Sequence, residues 1–136
     1  MSVGGVFHRW NGGIINSVGW DVEFTEEFEH WWNRLSVAEQ SSIDVSVYLL
    51  EEYGPHLGAP HTSAIVTSRH PNMRELRVQH QGRPYRVLYA FNPLRTAVLL
   101  LGGDKTGNDR WYEQVVPTAD RIYDQHLEEL RKEGKI

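Results

Sequence analysis

The sequence predicts an α+β fold: an N-terminal strand and helix hairpin, a three-stranded antiparallel meander and a C-terminal helix. Three observations carry that expectation. Apolar residues recur at helical spacing in 25–53 and again near the C-terminus, three strand-length apolar or alternating runs lie between them, and Gly- or Pro-containing pairs separate those runs. With 136 residues, 40% hydrophobic and 24% charged, the chain is long enough to bury a core without disulfides or a structural metal.

Residues 1–19 are rich in Gly, Asn and Ser and show no regular period, so they read as an N-terminal tail, with the folded domain spanning 20–136. Trp20, Val22 and Phe24 alternate with Asp21 and Glu23, the pattern of a half-buried strand. Thr25 is a helix cap by type, Glu26 and Glu27 suit the positive end of a helix dipole, and Phe28, Trp31, Trp32 and Leu35 follow on one face. Ser36 and Glu39 have capping-box spacing for a second helix, in which Ile43, Val47 and Leu50 share a face before Tyr53-Gly54-Pro55 ends it. The short join at Leu35-Ser36 makes the two helices a hairpin.

Residues 55–72, with three prolines and three histidines, read as a loop. Strands are predicted over 73–79, 85–91 and 96–101, joined by turns at Gln81-Gly82 and Asn92-Pro93. Pro117 is expected in the first turn of the last helix, where Ala119, Ile122, Tyr123, His126, Leu127 and Leu130 recur at helical spacing.

Composition excludes several classes of function. The chain has no cysteine, which rules out a thiolate nucleophile, a disulfide framework and any cysteine-ligated metal. The longest apolar run, Ala97 to Leu101, is far shorter than the ~20 residues that span a bilayer, and the N-terminus lacks a secretory pattern, so a cytoplasmic location is expected. The seven histidines show no recognised ligand spacing, and no metal site is expected. Gly102-Gly103-Asp104-Lys105-Thr106-Gly107 lacks the order of a nucleotide phosphate loop.

The formal charge is −4, but it is unevenly placed. From Thr67 to Trp111 eight basic residues face three acidic ones, a net of +5, which leaves −9 for the rest. Such segregation implies one basic surface on an acidic body. Within it, Arg77 and Arg86 stand on strands, and the loop after the last strand adds Lys105, Arg110, Trp111 and Tyr112. Guanidinium, ammonium and aromatic groups on one small sheet are what single-stranded nucleic acid requires, because phosphates take the charges and bases stack on the rings. Arg74, Arg83 and Arg110 are the expected additional contacts to such a strand.

The Glu75-Leu76-Arg77 triplet, the Tyr85 to Tyr89 run Y-R-V-L-Y, the Gly-Gly-Asp-Lys at 102–105 and the closing helix resemble the RelE/ParE superfamily of toxin–antitoxin toxins, nearest its phage-related HigB-like branch. The resemblance covers about 20–130. It implies a RelE-like fold and a metal-independent, cofactor-free endoribonuclease that cleaves messenger RNA on the ribosome and so inhibits translation. In that reaction a 2′-hydroxyl attacks the adjacent phosphate and leaves a 2′,3′-cyclic phosphate. The matching residues are Arg77 and Arg86 for charge on the phosphate, Lys105 for the leaving oxygen and Tyr112 for a base, with His80 as proton acceptor. Asp104 is expected to weaken the field of Lys105. The implied partners are a helical, DNA-binding, HigA-like antitoxin, the ribosome and its message, with DNA met only through the antitoxin. Two alternatives share the fold: a ParE-like gyrase inhibitor, and a catalytically degenerate member that only binds RNA or represses with its partner.

Overall fold

A computed structural model of the chain describes residues 8–10 and 19–136. The local signals between Trp20 and Gly54 act as their chemistry dictates. Val22–Phe24 forms β2, and Thr25 caps α1 (Glu26–Trp32) by accepting a hydrogen bond from the Phe28 amide at 3.1 Å. The Thr25 hydroxyl donates in turn to the Leu100 carbonyl at 2.7 Å, so a buried cap also ties the helix to the sheet. The helix α2 (Val37–Tyr53) starts with the full Ser36/Glu39 capping box, and such caps contribute about 1 kcal/mol. Gly54, at φ +55°, lies where an added Cβ would stand 2.4 Å from the Trp20 indole, so only glycine fits this helix end.

The expected meander is present as β4 (Met73–His80), β5 (Arg83–Phe91) and β6 (Ala97–Asp104), paired antiparallel in sequence order. Gln81 and Gly82 both have positive φ, the two-residue turn that matches strand twist. Two short strands extend the sheet. His8–Arg9 forms β1 and pairs with β2, while Thr62–Ala64 forms β3 and pairs with β4. The sheet order is β1-β2-β6-β5-β4-β3, with β2 and β6 parallel and the other pairs antiparallel.

Three expectations need correction. The segment 55–72 is not all loop, because β3 lies within it. The part of the expected tail that falls among the described residues joins the fold: β1 enters the sheet, and Trp10 packs edge-on to Phe24, Phe28 and Trp32 and donates to Asp44 at 2.8 Å. The rest of the tail, residues 1–7 and 11–18, lies outside the described residues. Finally, α3 runs from Trp111 to Lys132, so Pro117 is inside the helix, not in its first turn. There it removes the backbone bond to the carbonyl of Glu113. Tertiary packing outweighs that loss, since Trp111 lies against Gly103, where an added Cβ would sit 2.9 Å from the indole nitrogen.

The helices flank the sheet on both sides. Leu76, Val78, Tyr85, Val87, Tyr89 and Leu99 pack beneath α1 and α2. Met73, Leu88, Ala90, Val98 and Leu100 pack beneath α3. At the end of β6 the paired glycines serve one face each, Gly102 admitting Trp31 and Gly103 admitting Trp111. None of the described helices is long and apolar enough to cross a membrane.

Candidate functional site

Strand alternation sends Glu75, Arg77 and Arg86 to the α3 side of the sheet, and the β4–β5 register places Arg77 directly opposite Arg86. Two like charges across a strand pair repel. The carboxylate of Glu75 lies between them, 3.6 Å from Arg86 Nε and 3.5 Å from Arg77 Nη1. Glu75 is buried and accepts two hydrogen bonds, from the Tyr112 hydroxyl at 2.7 Å and from the Ser63 hydroxyl at 2.7 Å. Arg86 is equally buried and donates through Nη1 to the Tyr85 carbonyl at 3.0 Å. A buried pair held this way is costly to break, because either partner alone would be an uncompensated charge.

The corner grades from dry to wet. The Arg86 side chain is 5% exposed and that of Arg77 43%. The Lys105 ammonium lies 5.7 Å from the centre of the Tyr112 ring. Burial, reinforced by the hydrogen bond to Glu75, raises the Tyr112 phenol above its ordinary pKa, with Arg86 opposing. At neutral pH Tyr112 is therefore a donor. Two guanidinium groups thus meet one carboxylate at the mouth of the sheet, and a third cation, Lys105, stands by the Tyr112 ring that the same carboxylate holds.

Not every predicted site residue joins this corner. His80 is three positions from Arg77 on the same strand and so faces the helix hairpin, where its Nδ1 meets the Ser42 hydroxyl at 2.7 Å and its ring stands edge-on to Tyr85. Arg74 and Arg83 also lie on the hairpin side. The Nε of Arg74 donates to Thr62 at 3.3 Å, and Arg83 pairs with Asp104. Arg110 is exposed at the start of α3 and pairs with Glu113 at 3.0 Å. Arg69 pairs with Asp124, and Arg95 lies over the Trp20 ring. The single basic surface expected from charge counting is therefore divided between the two faces by β alternation.

Asp104 does not spoil the field of Lys105 in the way its sequence position suggests. It shares a face with Tyr85, and its carboxylate takes up Arg83 and the Thr106 backbone and hydroxyl. Burial pushes the Asp104 carboxyl up, but the hydrogen bonds from Thr106 and Arg83 outweigh it and hold the group below the ordinary range. Nearby, Tyr85 donates to Glu39, and burial followed by that contact pushes the Tyr85 phenol up to about 12. Glu39 is correspondingly lowered, mainly by the Tyr85 hydroxyl.

Two members of the corner were not among the predicted site residues. Glu75 was legible in principle, since it stands two residues before Arg77 and hence on the same face. Ser63 carried no signal, because β3 is three residues long and exists through pairing with β4.

A family model described as "Phage derived protein Gp49-like (DUF891)" matches residues 30–124, which include the whole corner. Two proteins of Mycobacterium tuberculosis are also similar. One, named "Putative toxin HigB2", is 38% identical over 116 residues, covering 84% of this chain and 57% of that protein. The other, named "Putative toxin HigB3", is 43% identical over 96 residues, covering 70% of this chain and 82% of that protein. The chain thus spans little more than half the length of the first of these relatives. No solved structure matches it.

Proposed function

The chain belongs to the phage-derived Gp49-like family and is HigB-like, and from that premise we propose that it is the toxin of a toxin–antitoxin pair, a metal-independent endoribonuclease that cleaves messenger RNA on the ribosome. The observation that carries this reading is the α3-face corner, where Arg77, Arg86 and Lys105 outnumber the carboxylate of Glu75 beside Tyr112. An RNA phosphate matches such a surplus of fixed cations, and a base matches the ring.

In the reaction the 2′-oxygen attacks the adjacent phosphorus, the bond to the 5′-oxygen breaks, and a 2′,3′-cyclic phosphate and a 5′-hydroxyl result. The 2′-hydroxyl proton leaves to water, and Lys105 returns one to the 5′-oxygen. Arg77 and Arg86 hold the negative charge that grows on the phosphoryl oxygens, the largest single contribution such a site can make. Tyr112 orients a base next to the broken bond. His80 takes no part, because it lies across the sheet. The antitoxin partner is a small helical protein whose contact silences this corner.

The test is induction in cells with mapping of transcript 5′ ends, followed by single-turnover cleavage on programmed ribosomes. Growth arrest with new 5′-hydroxyl ends, abolished in Arg77→Ala, supports the reading. Continued protein synthesis while DNA supercoiling fails first replaces it with gyrase inhibition.

A further inference from the structure

A carboxylate is rarely buried, and Glu75 is buried between the two arginines that the proposed reaction assigns to the phosphate. Each contact the structure gives it belongs to the corner. One oxygen takes Tyr112 and lies near Arg86; the other takes Ser63 and lies near Arg77. The hydrogen bonds from the hydroxyls are short, whereas the guanidinium contacts, at 3.5 and 3.6 Å, exceed the ~2.7–2.9 Å of a charge-assisted hydrogen bond. Arg86 Nε, although buried, has no hydrogen-bond partner. Arg77 and Arg86 therefore meet Glu75 as countercharges at distances longer than a hydrogen bond to an ion, with donor capacity left for a better-placed anion.

We propose that Glu75 is an internal stand-in for the substrate phosphate: in the free protein its carboxylate holds the two facing arginines and Tyr112 in register, and it yields the guanidinium groups when RNA enters. This rests on the ribonuclease reading of the same corner, which it deepens by naming a positioning residue that also sets the affinity. The physical consequence is a split. Without the negative charge, the arginines are free for any phosphate and binding tightens; without the register, they are poorly aimed at the transition state and cleavage slows. A carboxylate that only supports the fold gives no such split, since its loss weakens binding and cleavage together.

The experiment uses the full chain as wild type, Glu75→Gln and Glu75→Asp, with a 2′-O-methyl RNA oligonucleotide, which cannot be cut, as the binding probe and a programmed ribosome as the cleavage substrate. Glu75→Gln is expected to bind the probe about tenfold more tightly, with a salt dependence steeper by about one unit in log–log slope, and to cleave at least about tenfold more slowly. Glu75→Asp, which keeps the charge, is expected to stay within about twofold of wild-type affinity while cleaving slowly. A further measurement needs no variant: the side-chain carboxyl carbon resonance of Glu75 in the wild-type chain should shift when the probe saturates it. Weaker binding by Glu75→Gln, or a Glu75 resonance that does not move on saturation, overturns the inference while wild-type cleavage leaves the ribonuclease reading standing. A wild-type chain that neither binds the probe nor cleaves overturns both.

Discussion

Both faces of the sheet end in a polar corner built from neighbouring residues of the same strands, and the two corners differ in how their charges are matched. On the hairpin face Glu39 and Asp104 answer Arg83, and the Tyr85 hydroxyl closes the set. On the α3 face Arg77 and Arg86 share the single carboxylate of Glu75, and Lys105 stands by the Tyr112 ring. Tyr85 and Arg86 are adjacent, as are Asp104 and Lys105, yet each pair is divided between the corners. The lesson is that a basic stretch of sequence becomes two surfaces on a strand, and only the one with surplus cation suits an anionic ligand.

The largest effect that separates the corners is on stability. Arg86→Ala leaves Glu75 buried with one fewer countercharge and should cost about 3–5 kcal/mol in urea unfolding, whereas Arg83→Ala removes an exposed guanidinium from a screened pair and should leave the urea midpoint nearly unchanged. Equal losses would mean that the two corners are built alike.

Next comes catalysis. Arg77→Ala should slow single-turnover cleavage by roughly 100-fold, the scale for one preorganised charge donor, while Arg83→Ala and Arg95→Ala should change it less than about threefold. A comparable loss in Arg83→Ala would move the reaction to the hairpin face.

Acid should act on the α3 face first. His126 is buried on the inner side of α3, its Nε2 meets the Asn92 side chain at 2.9 Å, and burial lowers its pKa from 6.5 to about 4. The folded state keeps the ring neutral where the unfolded chain takes up a proton. Its contribution is therefore complete above about pH 6.5 and declines as the pH falls toward 4, by about 2–3 kcal/mol. Urea midpoints across that window measure it, and His126→Gln should flatten the slope.

The smallest contrast compares two hydroxyls. Tyr112→Phe frees one oxygen of Glu75 and should slow cleavage about tenfold, whereas Tyr85→Phe should cost about 1 kcal/mol of stability and leave the cleavage rate unchanged. Circular dichroism confirms folding, and an equal loss of rate in both would erase the distinction between faces.

Much of this fold was readable because its signals are local. The caps of α1 and α2, the Gln81-Gly82 turn and the alternation of β4 and β5 each lie within a few residues. Where pairing across the chain decides the outcome, the sequence is silent: β3 forms by pairing with β4, and the start of α3 is set by the fit of Trp111 on Gly103. The site was legible to a similar extent. A two-residue turn after His80 fixes Arg77 opposite Arg86, and the same counting puts His80 on the other face, so its placement was available from parity alone. The role of Ser63 was not, since nothing local marks its strand.

If the protein is the proposed ribonuclease, the α3-face corner, not the hairpin-face corner, receives the RNA phosphate. Arginine Nε resonances report it directly when the wild-type chain is titrated with a 2′-O-methyl RNA oligonucleotide. Large shifts are expected for Arg77 and Arg86 at one common affinity, with Arg74 and Arg83 unmoved. Shifts confined to Arg74 and Arg83, with Arg77 and Arg86 unchanged at saturation, would contradict it.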